Sequence, residues 1–201
     1  MQEYFTLFFT IWLKFFFILT PFFIMSVFLS LTKSMNGYNR NITALKVTGN
    51  MILVGVILFF FGKYVFQVFG ITLDSFRIGA GVLLFLTAIA LVHGTRMIQP
   101  DEEDGDFIMV PLTIPIIIGP ATIGLIFVQS AQLIETGEKL IGLAALITAQ
   151  LCLGVVLLLS VQIEHVVGKK GIVTMTKLTG LMLAAIAAQI IFTGIRNFLH
   201  S

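Results

Sequence analysis

The sequence predicts an all-α membrane protein, with six transmembrane helices as two inverted three-helix repeats and helices 1 and 4 broken at proline. Three observations carry this prediction. Of the 201 residues, 58% are hydrophobic and only 11% charged, and the mean hydropathy is +1.05; a soluble domain carries about 25% charged residues. The apolar residues fall into six runs of about twenty, enough for a helix to cross the hydrocarbon core of a bilayer. Pro21 interrupts the first run and Pro111, Pro115 and Pro120 the fourth, and the two halves of the chain are alike at a shift of about a hundred positions.

The expected spans are 7–31, 42–69, 76–98, 107–130, 140–162 and 173–198. The first follows "MQEYFTLFF", which has no basic n-region and no small-residue cleavage site, so it reads as a retained span and not as a signal peptide. The second contains "MILVGVILFFFG", apolar on every side, which excludes the alternating strands of a barrel. The third carries Gly79 and Gly81 in "RIGAGVLLFL", a surface for close helix approach. No strand precedes these glycines, so a nucleotide-binding loop is ruled out. After it comes the one sustained hydrophilic stretch, "QPDEEDGD" at 99–106. An EF-hand would need alternating ligands and a glutamate at the twelfth position, where Leu112 stands, so this is a solvated connector. It divides a single membrane domain into halves 1–98 and 107–201. The fifth span holds the lone Cys152, which excludes an intrachain disulfide and makes a cysteine metal site unexpected.

Cations set the expected orientation. Lys33, Arg40, Lys46, Arg96, Lys169, Lys170 and Lys177 fall on one face, and Lys14, Lys63, Arg77, Lys139 and Arg196 on the other. The richer face is placed in the cytoplasm, which leaves both termini periplasmic in a bacterial inner membrane. Arg77 is near the start of its span, and Lys14 is read as snorkelling to the outer boundary. No basic surface with interleaved aromatics lies outside the spans, so nucleic acid is not an expected partner.

Internal similarity gives the repeat. Shifting the second half back pairs Arg96 with Arg196, Gly94 with Gly194, Ala88 with Ala188, Pro21 with Pro120 and Gly55 with Gly154. Three spans is an odd number, so the second copy enters the bilayer upside down. Secondary transporters of this plan hold their solute at discontinuous helices in equivalent places of the two halves.

The expected site follows from those interruptions. Proline removes a backbone donor and clashes with the preceding turn, and a helix in lipid tolerates this only where protein or a wet cavity receives the released groups. In "MVPLTIPIIIGPATIGLIF" the helix should unwind between Pro115 and Ala121, with Gly119 and Pro120 as its hinge and Thr113 and Thr122 beside it. Thr20, Pro21 and Ser26 form the milder counterpart in span one. Asn50 and Gln150 are amides in apolar sequence at matching places, serving either helix packing or a polar solute. His93, His165 and His200 are scattered, and Glu164–His165 reads as an interfacial helix end. With no nucleophile and base in reach of each other, neither an enzyme nor a cofactor is expected.

At the proline segments the chain resembles the MarC family of bacterial and archaeal membrane proteins. "PFFIMSVFLSLTK", "ITLDSFRIGAGVLLFLTA" and "VPLTIPIIIGPATI" match in order and spacing, so the resemblance covers essentially the whole chain. It implies six spans in the inner membrane and, through an archaeal relative, transport of small neutral amino acids. Pro21, Pro111, Leu112, Pro115, Gly119 and Pro120 match the family pattern. Thr20, Phe23 and Ser26 replace its usual Asn, Gly and Pro, and Ala121 replaces a frequent Gly.

The expected function is therefore secondary transport of a small polar solute such as a neutral amino acid, by rocking of one half against the other. Its partners are the lipid bilayer, the solute and, where transport is coupled, a cation held by carbonyls and hydroxyls; a homo-oligomer is compatible with this. The alternative is a non-transporting scaffold that binds another protein through its helix faces.

Overall fold

Apolar residues carry no stop signal, so the helix ends are set by proline, glycine and short polar side chains. The computed structural model describes residues 2–94 and 118–200, where every regular element is an α-helix. The connector 99–106, Pro111, Thr113 and Pro115 lie outside the described residues. α1 (Gln2–Ile18) and α2 (Pro21–Leu31) are the two parts of the first span, separated at Thr20. α3 (Gly37–Phe69) starts earlier than its apolar run, because the Asn36 side chain accepts from the Asn39 amide at 2.8 Å. It stops at Gly70, whose left-handed backbone (φ 62°) glycine adopts without the steric cost of a Cβ. α4 (Leu73–His93) is capped by Thr72, which accepts from the Ser75 amide at 3.2 Å, and ends at Gly94.

α5 (Pro120–Gln132) begins directly at proline, at the first helical position, where the missing N–H costs no helical bond. α6 (Thr136–Leu158) runs almost without interruption into α7 (Ser160–His200), which kinks at Gly168 (φ 70°, ψ 163°). The expected span 140–162 is thus interrupted at Leu159, and Glu164 and His165 lie in the helical segment before the kink.

Among the described residues, five stretches are long and apolar enough to cross a membrane: Glu3–Leu31, Gly37–Gly62, Leu73–His93, Thr136–Leu158 and Ser160–Leu199. α5, with 13 residues, is about 20 Å long and does not cross by itself. The rest of the expected fourth span lies outside the described residues.

The seven helices of the described residues all feed one apolar core, with Phe15, Phe28, Met51, Leu84, Ile126, Leu153 and Leu183 among its wholly or nearly wholly buried members. α4 packs on α7 and α5, α3 on α6 and α5, α1 on α6, and α2 on α7. The α4–α7 pair is antiparallel and close. A Cβ on Gly81 would lie 3.2 Å from the Ala187 carbonyl, and one on Gly180 would lie 3.1 Å from the Ala88 carbonyl. Small residues let backbones approach in this way where lipid supplies no hydrophobic drive between helices. Gly79, by contrast, faces open space.

Candidate functional site

Thr20 joins two half-helices. Pro21 cannot donate to α1 and pushes its predecessor out of the helical region. Thr20 leaves the helical region for a left-handed backbone (φ 45°, ψ 59°) and not the usual extended one, while only 7% exposed. Its amide donates to the Phe17 carbonyl at 3.0 Å, closing α1, and its own carbonyl accepts from the Ile24 amide at 3.0 Å, opening α2. A non-glycine residue in this region costs about 1–2 kcal/mol, which the surrounding packing must offset.

The second break is built differently. Gly119 is extended (φ −79°, ψ 176°) and its carbonyl accepts from the Ile123 amide at 3.0 Å. Thr122 is buried, while Pro120 is exposed. The flanks of both breaks, Ile18 and Leu19 on one side and Ile118 and Ala121 on the other, belong to the same apolar cluster. Ser26 is exposed, away from the buried face of Pro21, Ile24, Met25 and Phe28. Thr113 and Pro115 lie outside the described residues.

Of the two matching amides, Gln150 reaches across the bundle to the backbone beside Asn50. Gln150, wholly buried, donates from Nε2 to the carbonyl of Met51, next to Asn50, at 2.9 Å. Its Oε1 has no hydrogen-bond partner among the described residues. Asn50 itself is half-buried. A Cβ on Gly55 would run into the Gln150 carboxamide, so that glycine makes room for the amide.

Away from the breaks, where α1, α4, α5 and α7 meet, there is a cavity of about 400 Å³. Small-molecule sites span about 300–1,000 Å³. Its polar lining is Lys14, Arg77, Gln132, Gln189 and Thr193, and its apolar lining Val128, Ala185, Ile186 and Ile190. Arg77, 9% exposed, is held from two sides. Its Nη1 pairs with the Asp74 carboxylate one turn before it, and Asn197 also donates to Asp74 at 3.3 Å. With its amide oxygen turned to the guanidinium, Gln132 accepts from Nε at 3.2 Å and from Nη2 at 2.7 Å. Lys14, read from the sequence as reaching the outer boundary, lines the cavity and has no ion pair or hydrogen bond among the described residues. Its charge and that of Arg77 repel. No group of three His, Cys, Asp or Glu side chains gathers among the described residues.

Sequence reasoning missed this cavity. Asp74 and Arg77 did leave a local signal, since an acid and a base three residues apart share one helix face. Gln132, Gln189 and Thr193 leave none, because only the crossing of distant helices makes them neighbours.

A bundle of long apolar helices enclosing a buried amide and a cationic cavity defines a multi-pass α-helical integral membrane protein. The chain belongs to the MarC family: the model described as MarC family integral membrane protein matches residues 5–199. It is similar to a UPF0056 membrane protein of Methanocaldococcus jannaschii, 32% identical over 192 residues, covering 90% of this chain and 92% of the relative. A UPF0056 membrane protein of Aquifex aeolicus is 28% identical over 207 residues, covering 99% and 97%. UPF0056 membrane protein YhcE of Escherichia coli is 27% identical over 201 residues, covering 96% and 94%. No solved structure is a significant match to the chain.

Proposed function

We propose that this protein is a secondary transporter of a small polar solute, such as a neutral amino acid, in a bacterial inner membrane. One observation carries the reading: α2 and α5 each begin at a proline, and the flanks of both breaks sit in one shared core. Helix N-termini carry partial positive charge and unpaired N–H groups, suited to the anionic end of a zwitterion. Thr20, Pro21, Gly119, Pro120 and Thr122 form the site, completed by Thr113 and Pro115 from the preceding segment. Ser26, Asn50 and Gln150 flank it, and a coupling cation would be held by carbonyls and hydroxyls. No chemical step is assigned to any of them.

The proposal includes six spans in two inverted repeats, with both termini periplasmic. The reciprocal contacts of α4 and α7 support it: Gly81 meets Ala187 and Ile191, while Gly180 meets Ala88 and Val92, and these pair as counterparts at a shift of 99 residues, one less than the shift that pairs Ala88 with Ala188. The pairing of α2 with α7 likewise mirrors that of α5 with α4.

A second reading, a non-transporting scaffold, is favoured by the burial of Leu19, Thr20 and Pro21 in the core, where a solute would need room. Uptake and counterflow of a panel of labelled neutral amino acids in proteoliposomes decide between the two. Transport above empty vesicles, abolished by Gly119→Leu, is expected. Equality with empty vesicles across the panel would overturn the amino-acid reading.

A further inference from the structure

We propose that the cavity between α1, α4, α5 and α7 is a binding site for a small organic monoanion, a short carboxylate with an apolar or hydroxylated tail, held by Lys14 and Arg77. This goes beyond the transport reading and does not depend on it, since none of the described break residues lines the cavity.

The charge balance is the first argument. Lys14 and Arg77 bring two positive charges into an apolar span region, and the one carboxylate nearby, Asp74, is already shared by Arg77 and Asn197. Among the described lining residues there is no carboxylate to neutralise Lys14. An intramembrane cation in this position needs water or an anion. One excess charge matches a monoanion and leaves a dianion undercompensated.

The second argument is donor capacity. A guanidinium has five N–H donors in a fixed fork. Asp74 takes one and Gln132 takes two, which leaves Arg77 two donors without partners among the described residues. These two and the Lys14 ammonium can share a carboxylate, and the Asp74–Gln132 grip holds the guanidinium in place before the ligand arrives.

The lining around the two cations defines the tail. Val128, Ile186 and Ile190 suit a short hydrocarbon, and Gln189 and Thr193 offer neutral polar groups to a hydroxyl. An ammonium group would meet two cations and no available acid. The cavity therefore discriminates against zwitterions, unlike a site made of helix ends alone.

The test is equilibrium binding of radiolabelled lactate to the purified full chain in neutral detergent, with alanine as zwitterionic competitor. Saturable binding is expected, with alanine competing poorly. Lys14→Gln should weaken it about tenfold or more, with Lys14→Arg restoring much of the loss. Gln189→Leu, which alters no charge, should weaken binding of lactate more than that of butyrate. Absence of saturable lactate binding, unchanged affinity in a folded Lys14→Gln protein, or alanine competing as well as lactate would overturn the proposal. Should Lys14→Gln fail to fold, the Gln189→Leu comparison decides, and equal effects on both ligands count against it. Loss of lactate binding in phosphatidylglycerol nanodiscs but not in phosphatidylcholine ones would assign the site to a lipid phosphate, and so overturn the solute reading.

Discussion

Replacing Gln150 with leucine should make the protein more stable. Gln150 is fully buried, contributes one hydrogen bond to the Met51 carbonyl at 2.9 Å and leaves its own Oε1 without a partner among the described residues. Interhelical hydrogen bonds in membrane proteins average about 0.6 kcal/mol, and the Met51 carbonyl keeps its intrahelical role when the amide is removed. A buried unsatisfied oxygen costs about 1–3 kcal/mol. Gln150→Leu removes both at similar volume, so the balance is a gain of about 1 kcal/mol. Unfolding in dodecyl maltoside micelles titrated with dodecyl sulfate measures this. The sole tryptophan, Trp12, stacked on Phe16 at 5.1 Å, is its fluorescent reporter. A loss of more than about 1 kcal/mol would refute the reasoning, because it would mean that the amide is fully satisfied. A variant that gains stability while losing uptake in proteoliposomes would place the amide in service of a solute and not of packing.

The same titration checks three further expectations. Gly81→Val should destabilise by about 1–3 kcal/mol through collision with Ile191 and the Ala187 carbonyl, whereas Gly79→Ala, facing open space, should gain up to about 1 kcal/mol of helix propensity. Asp74→Asn should cost about 1.5–3 kcal/mol, since Arg77 loses its charged acceptor while remaining 9% exposed. Gly168→Ala should cost about 1–3 kcal/mol, because its φ of 70° with ψ of 163° is a region reserved for glycine.

Proline and glycine chemistry made much of the fold legible. The break at Pro21 and the start at Pro120 fall where a missing N–H demands them, and Gly81 makes the close approach that its small-residue neighbourhood suggests. Hydropathy misplaced the polar ends. α3 begins at Gly37, since the Asn36 cap recruits a first turn that no apolar count includes, and α4 stops at His93 because Gly94 turns left-handed. Matching places in the two halves singled out Asn50 and Gln150, but the bond from Gln150 to the Met51 carbonyl depends on how α6 crosses α3. The cavity was not: Lys14 looked like a residue that escapes to the headgroups, and its closeness to Arg77 depends on how α1 crosses α4, which no local pattern encodes. The left-handed turn at Thr20 also surprised, since a residue before proline ordinarily goes extended.

The grip on Arg77 also constrains how the helices can move. Asp74 and Arg77 stand in the opening turns of α4, Gln132 at the close of α5 and Asn197 near the close of α7, so one polar clasp buckles three helices at a single end of the bundle. Tongs riveted at one end open widest at the other. Parting these helices on the clasp side means first unfastening bonds to a charged group, so the larger excursion belongs to the opposite rim, where the Gly168 bend lies in the same long helix α7.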